Sequence, residues 1–127
     1  MSIFVFGSNR KGIHGAGSAK AAVESHGAQF GVGEGRTGDA YAIPTKETPY
    51  RLRSLRDIQV SVDAFLQYAR EHQELKFQVV RIGCGLAGYR DEQMAPLFSG
   101  APGNCGFDFC WQKYGLKPWS DLSEDEA

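Results

Sequence analysis

Lys46 stands in the run AYAIPTKETPYR, directly after an apolar stretch that ends at Pro44. An amine in that place has two chemical uses. If burial lowers its pKa from the ordinary value of about 10.4, it attacks an electrophilic carbon as a nucleophile. If it stays protonated, it donates hydrogen bonds to an oxygen acceptor. A lysine at such a position is otherwise a solvated surface cation. A second nucleophile, Cys84, lies in RIGCGLAGY, with His14 as its conceivable base. Because Cys84 follows an apolar strand so closely, a small buried hydrophobe is the competing reading.

Gly83, Gly85 and Gly88 fall within six residues. Glycine is costly to immobilise and adds nothing to a core, so either the chain turns sharply here or something approaches the backbone closely. Amides in such a segment, Gly83, Cys84, Gly85, Leu86, Ala87 and Gly88, can line up around a phosphate with no Cβ in the way. Gly15, Ala16 and Gly17 open a helix and offer a second set of donors. Two such bends facing one another suit a diphosphate. Neither carries GxxxxGK[ST] or a full G-x-G-x-x-G, and a tight turn at a sheet edge is the plainer alternative for each.

Other side chains near these bends have paired readings. Asn9 offers an amide donor and acceptor to a ligand or shapes a turn. His14 donates to a phosphate or hydroxyl or is an ordinary loop histidine. Tyr89 flanks a sugar or packs as a lid. Arg51 and Arg53 meet phosphate or lie solvated. Asp39, Glu47 and Asp91 are acids of the presumed rim, Asp91 being read as a helix cap.

The elements that would position these groups alternate. SIFVF, residues 2–6, AYAIPT, residues 40–45, and KFQVVRI, residues 76–82, are apolar enough for buried strands. SAKAAVESHG repeats Ala19, Ala22, Val23 and His26 at helical spacing and stops at Gly27. Ser54 caps a helix to about residue 72 whose apolar face is Leu55, Ile58, Val62, Phe65, Leu66 and Ala69. A short helix runs through Met94, Leu97 and Phe98. AQFGVGEGRTGD holds a short irregular strand, and GNCGFDFCWQKY an edge strand. Trp111 and Trp119 anchor the C-terminal segment. The pattern predicts an α/β domain over residues 1–119 with a partly parallel sheet, and a frayed acidic tail over residues 120–127.

The chain has 127 residues, 16 of them glycine, and a net charge of -1. That near-neutral balance, without a basic run, argues against tight nonspecific binding to duplex DNA. Cys84, Cys105 and Cys110 cannot all pair and form no C-x-x-C, so a reduced, cytoplasmic setting without a zinc site is expected. No run approaches the ~20 apolar residues of a membrane span, and no export signal opens the chain.

The ordered set FGSN…HGAG, IPTK and IGCGLAGY resembles a macrodomain over about residues 3–98. The nearest branch holds the DarG-type DNA ADP-ribosyl glycohydrolases and the terminal ADP-ribose protein glycohydrolase. The resemblance implies a minimal three-layer α/β/α sandwich with a mixed sheet, and a pocket for ADP-ribose or an ADP-ribosylated nucleic acid or protein, with no cofactor. By residue match it places Lys46 beside the distal ribose as the group that carries glycosidic hydrolysis. Asn9, His14, Gly15, Ala16, Gly17, Thr45, Gly83, Cys84, Gly85, Leu86, Ala87, Gly88 and Tyr89 become ligand-binding. A binding module that sequesters ADP-ribose or a related nucleotide is the other implied role, in a phage or bacterial conflict. Ala87 stands where the protein-directed enzyme carries an acid, which either sides with the DNA-directed branch or marks lost catalysis. The strand whose acid reads the adenine amine in that family has no counterpart, so either that contact comes from elsewhere or the ligand is not adenine-capped.

Overall fold

Strand β1, Ser2–Asn9, turns Ile3 and Val5 to one side and Phe4 and Phe6 to the other. A strand apolar on both sides belongs in the middle of a covered sheet, and β1 lies there. Its neighbours are β3 (Ala40–Thr48) and β5 (Lys76–Val79), both parallel to it. Beyond β5, β6 (Cys105–Phe107) is also parallel. On the other flank β2 (Gly35–Thr37) and β4 (Arg51–Leu52) pair antiparallel with β3, giving a six-stranded mixed sheet. The computed structural model describes residues 1–123.

Helices cover both faces, so the fold is a three-layer α/β/α sandwich. Helix α2, Leu55–Glu71, buries Ile58, Val62, Phe65, Leu66 and Ala69 against Tyr41, Ile43, Phe77 and Val79. Each of the larger apolar side chains contributes roughly 1.5–3 kcal/mol by leaving water. Ser54 caps α2 as expected, its hydroxyl accepting from the Asp57 N–H at 3.1 Å. Helix α1, Gly17–Ser25, lays Ala19 and Ala22 on Phe6, Ala40 and Ala42 on the opposite face. Small residues on both sides let it sit close to the sheet. His26 ends α1 and stacks on Phe4, with ring centres 4.1 Å apart.

Several expectations are revised. The short helix α3, Asp91–Met94, is capped by Arg90 with Gln93, not by Asp91, and continues as a 3-10 turn, Ala95–Phe98. Asp91 instead accepts from Arg81 and from the indole of Trp111. GNCGFDFCWQKY is strand only over β6; Phe109–Tyr114 is a 3-10 helix around the fully buried Trp111. Residues from 120 do not begin as a frayed tail. Trp119–Ser123 form helix α4, which buries Leu122 and sits so close to β6 that a Cβ on Gly106 would lie 2.7 Å from the Trp119 Cα. Residues 124–127 lie outside the described residues. Among the described residues no helix is long and apolar enough to cross a membrane.

Candidate functional site

Since β1, β3 and β5 are parallel, their carboxyl ends open on the same edge of the sheet, where open α/β folds hold ligands. A crevice of about 690 Å³ lies there. Its floor is Gly7, Ser8 and Asn9 from the end of β1 with Thr45 and Lys46 from the end of β3. One wall is the start of α1, residues 15–19, and the other is the glycine loop, residues 82–87. The two walls approach each other: a Cβ on Gly17 would lie 3.3 Å from Leu86 Cδ1.

Both walls present unclaimed donors. Among the described residues the N–H groups of Gly15, Ala16, Gly17 and Ser18 have no partner, and no side chain caps α1. On the facing loop the N–H groups of Gly85, Leu86 and Ala87 are likewise unpartnered. Exposed amides of this kind, at a helix start and in a bare loop, bind anions. The charged side chains lining the crevice are Lys46 and Arg81; no carboxylate or imidazole lines it among the described residues.

The glycine loop is held at its base. Arg81 and Asp91 form a bidentate ion pair, Nε to Oδ1 at 2.9 Å and Nη2 to Oδ2 at 2.7 Å. The buried Trp111 indole donates to the same Oδ1 at 2.7 Å. The Arg81 and Trp111 hydrogen bonds hold the Asp91 carboxyl well below the usual carboxylate range. Inside the loop, Tyr89 N donates to the Gly83 carbonyl at 2.8 Å and the Tyr89 hydroxyl donates to the Arg53 carbonyl. Glycine is required at Gly83, where φ is +81° and a Cβ would lie 2.9 Å from Met94 Sδ. At Gly85 a Cβ would meet nothing within 4 Å. The loop therefore uses its first glycine to turn and its second to leave room.

The expected site residues divide. Asn9, Gly15, Ala16, Gly17, Thr45, Lys46, Gly83, Cys84, Gly85, Leu86 and Ala87 all line the crevice. Lys46 is half-buried, with Nζ 3.4 Å from the Pro49 carbonyl, and keeps donors to spare. The amide of Asn9 braces its own turn, donating to the Ile13 carbonyl at 2.9 Å and accepting from the Ile13 N–H at 3.2 Å. Thr45 donates to the Ser8 carbonyl at 3.4 Å.

His14 is not brought to the crevice. It is buried between Phe6 and Phe30 with Nε2 3.0 Å from the Val32 carbonyl, because apolar and aromatic neighbours surround the turn behind β1. Gly88 and Tyr89 also lie outside the lining, where they close the loop rather than face its mouth. Arg53 is neither solvated nor available to phosphate; it is buried, donating to the Pro44 carbonyl and Ser61 Oγ at 2.9 Å each, with Glu47 at 3.6 Å. Cys84 packs partly against the core, and burial, followed by hydrogen bonding to Asp91, pushes its thiol up to about 12. A thiol so rarely ionised, without His14 nearby in the lining, is a poor nucleophile.

Sequence reasoning missed Tyr50 and Arg81. Tyr50 is 98% exposed at the tip of the β3–β4 hairpin yet lines the crevice. An aromatic residue in the turn-rich TPYR was the signal available. For Arg81 the signal was an opposite charge, Asp91, ten residues on, bracketing the glycines. Comparison of the chain with protein-family models, with curated proteins and with solved structures finds no match. Its class is therefore defined by the fold and the site alone: an α/β/α sandwich with an amide-lined, cationic crevice at the parallel strand ends.

Proposed function

We propose that the crevice binds the diphosphate of ADP-ribose or of an ADP-ribosyl adduct, and that Lys46 acts on the glycosidic bond of the distal ribose. One observation carries this reading: unpartnered amides from two separate bends, 15–18 and 85–87, face each other across a single crevice. A pyrophosphate offers acceptors to both walls at once, and the bare Gly85 leaves it space. With the diphosphate between the walls, the ribose on one side reaches Lys46 at the end of β3.

Hydrolysis there breaks the bond from the anomeric carbon to the leaving oxygen or nitrogen, forms a bond from that carbon to water oxygen, and returns the proton to the leaving atom. Lys46 would hydrogen-bond the leaving atom as charge develops on it. A second reading, binding without turnover, is favoured by the lack of any carboxylate or imidazole in the crevice lining to activate the water. The macrodomain resemblance of FGSN, PTK and GCGL agrees with either.

Calorimetry with ADP-ribose tests binding, and incubation with ADP-ribosylated DNA and ADP-ribosylated protein tests turnover. Lys46→Ala is expected to remove turnover at least 100-fold while changing affinity less than tenfold. Undiminished turnover in that variant would remove Lys46 from the chemistry. No heat with ADP-ribose would remove the ligand.

A further inference from the structure

The polar groups left free in the crevice are almost all donors. The N–H groups of residues 15–18 and 85–87 are unpartnered, and Lys46 and Arg81 add cationic N–H groups. The carbonyls beside them are already taken. Ala16 O accepts the Lys20 N–H at 3.2 Å, Gly83 O the Tyr89 N–H at 2.8 Å and Gly85 O the Gly88 N–H at 3.0 Å. At the base of the glycine loop Val80 O accepts from the Ile82 N–H at 2.7 Å and Arg81 O from the Cys84 N–H at 3.2 Å. Asn9 carries the only carboxamide of the lining among the described residues, and both its ends are spent on Ile13.

Such a lining fits a phosphate and does not read a base. Phosphate oxygens only accept, so converging N–H groups satisfy them. Adenine must also give its exocyclic amine to an acceptor. The lining offers single hydroxyls, such as those of Ser18 and Tyr50, which hold no preference for a base over a sugar. A base edge that only accepts, as in hypoxanthine, calls on the fork of a guanidinium, and the fork of Arg81 is already bidentate on Asp91. Tyr50 is the one ring in the lining among the described residues, and at 98% exposure it forms no enclosed stacking slot. Beyond Val80, the Asp108 carboxylate is committed to both the N–H and the thiol of Cys110.

We infer that the crevice selects its ligand by the ribosyl diphosphate and is indifferent to the cap on the far phosphate. Its ligand class is ribosyl diphosphate esters in general, of which ADP-ribose is one. This rests on the diphosphate reading proposed above and names the class of ligand for that same site. The two amide walls take the phosphates, Lys46 takes the sugar, and the base is left unread.

The test is calorimetry of the full chain with four ligands of matched diphosphate charge. They are ADP-ribose, its hypoxanthine counterpart, ribose 5-diphosphate closed as a methyl ester, and ADP closed as a methyl ester. The first three should bind within about fivefold of one another, because a stacked base alone would be worth about fivefold or more. The fourth lacks the sugar that meets Lys46 and should bind at least ~tenfold more weakly. Gly85→Val, whose Cβ meets nothing within 4 Å, should weaken the first three by a common factor. A spread above about fivefold among the first three means that the base is read; it overturns the inference and leaves the diphosphate reading standing. An ADP methyl ester that binds as well as the ribosyl one overturns the ligand class. A Gly85→Val variant that keeps the ribosyl methyl ester while losing ADP-ribose puts the small ligand elsewhere and overturns it too. If wild type binds none of the four, the reading of the crevice falls, and this inference with it.

Discussion

Replacing Asp91 should loosen the glycine loop from its base, and the size of the effect follows from its contacts. Arg81, Trp111 and the Cys84 thiol all meet this carboxylate, and the first two set the size of the effect. The ion pair with Arg81 is bidentate, but the side chains are 44% and 27% exposed, so solvent screens it to about 0.5–1 kcal/mol. The Trp111 indole is fully buried, and stranding its N–H costs about 1–3 kcal/mol. Asp91→Ala should therefore cost about 2–3 kcal/mol, or a Tm lower by about 10 °C at the usual unfolding entropy for a chain of this size. Asp91→Asn keeps one oxygen for the indole and for Arg81 Nε but loses the charge and turns an amide N–H toward Arg81 Nη2, a smaller cost of about 1 kcal/mol.

The two effects separate by pH. Arg81 and Trp111 depress the folded pKa of Asp91 below its unfolded value of about 3.9. Its contribution is thus complete above about pH 4 and disappears as pH falls through the folded pKa. Urea melts at pH 6 and pH 3 should show the difference between wild type and Asp91→Asn shrinking at the lower pH. A difference that is the same at both pH values, or an Asp91→Ala variant as stable as wild type, would refute the clasp.

Gly85→Val should fold normally, since its Cβ meets nothing within 4 Å, and yet lose ADP-ribose affinity at least 100-fold by calorimetry; retained affinity would take the loop out of the pocket. Gly33→Ala should cost about 3 kcal/mol in a thermal melt, because its Cβ would lie 2.4 Å from the Asn9 carbonyl oxygen and 2.7 Å from that of Arg10. Cys84→Ala should keep any turnover within twofold, and Cys84 should alkylate slowly at pH 7.5, its thiol lying at about 12; loss of turnover would reinstate a cysteine mechanism.

Local signals in the sequence determined much of this protein. The period-3.6 face of α2, the Ser54 cap, the three apolar runs that became β1, β3 and β5, and the dense glycines of the two crevice walls are visible because each depends on neighbours a few residues away. The expected residues that line the crevice, among them Lys46, Thr45, Gly15–Gly17 and residues 83–87, lie directly at the ends of those elements. Tertiary structure alone decided which face each remaining side chain met. His14 follows the same loop as Gly15, yet the rings of Phe6 and Phe30 enclose it, and Phe30 lies sixteen residues further on. Asp91 looked like a cap until the fold brought Arg81 and Trp111 to it, and Arg53 looked solvated until α2 placed Ser61 against its guanidinium. The crevice itself draws on four separate segments, at residues 7–9 with 13, 15–19, 45–50 and 80–87. Charge pairing and enclosure act through space, and the distances they depend on are set only when the sheet has chosen its strand order.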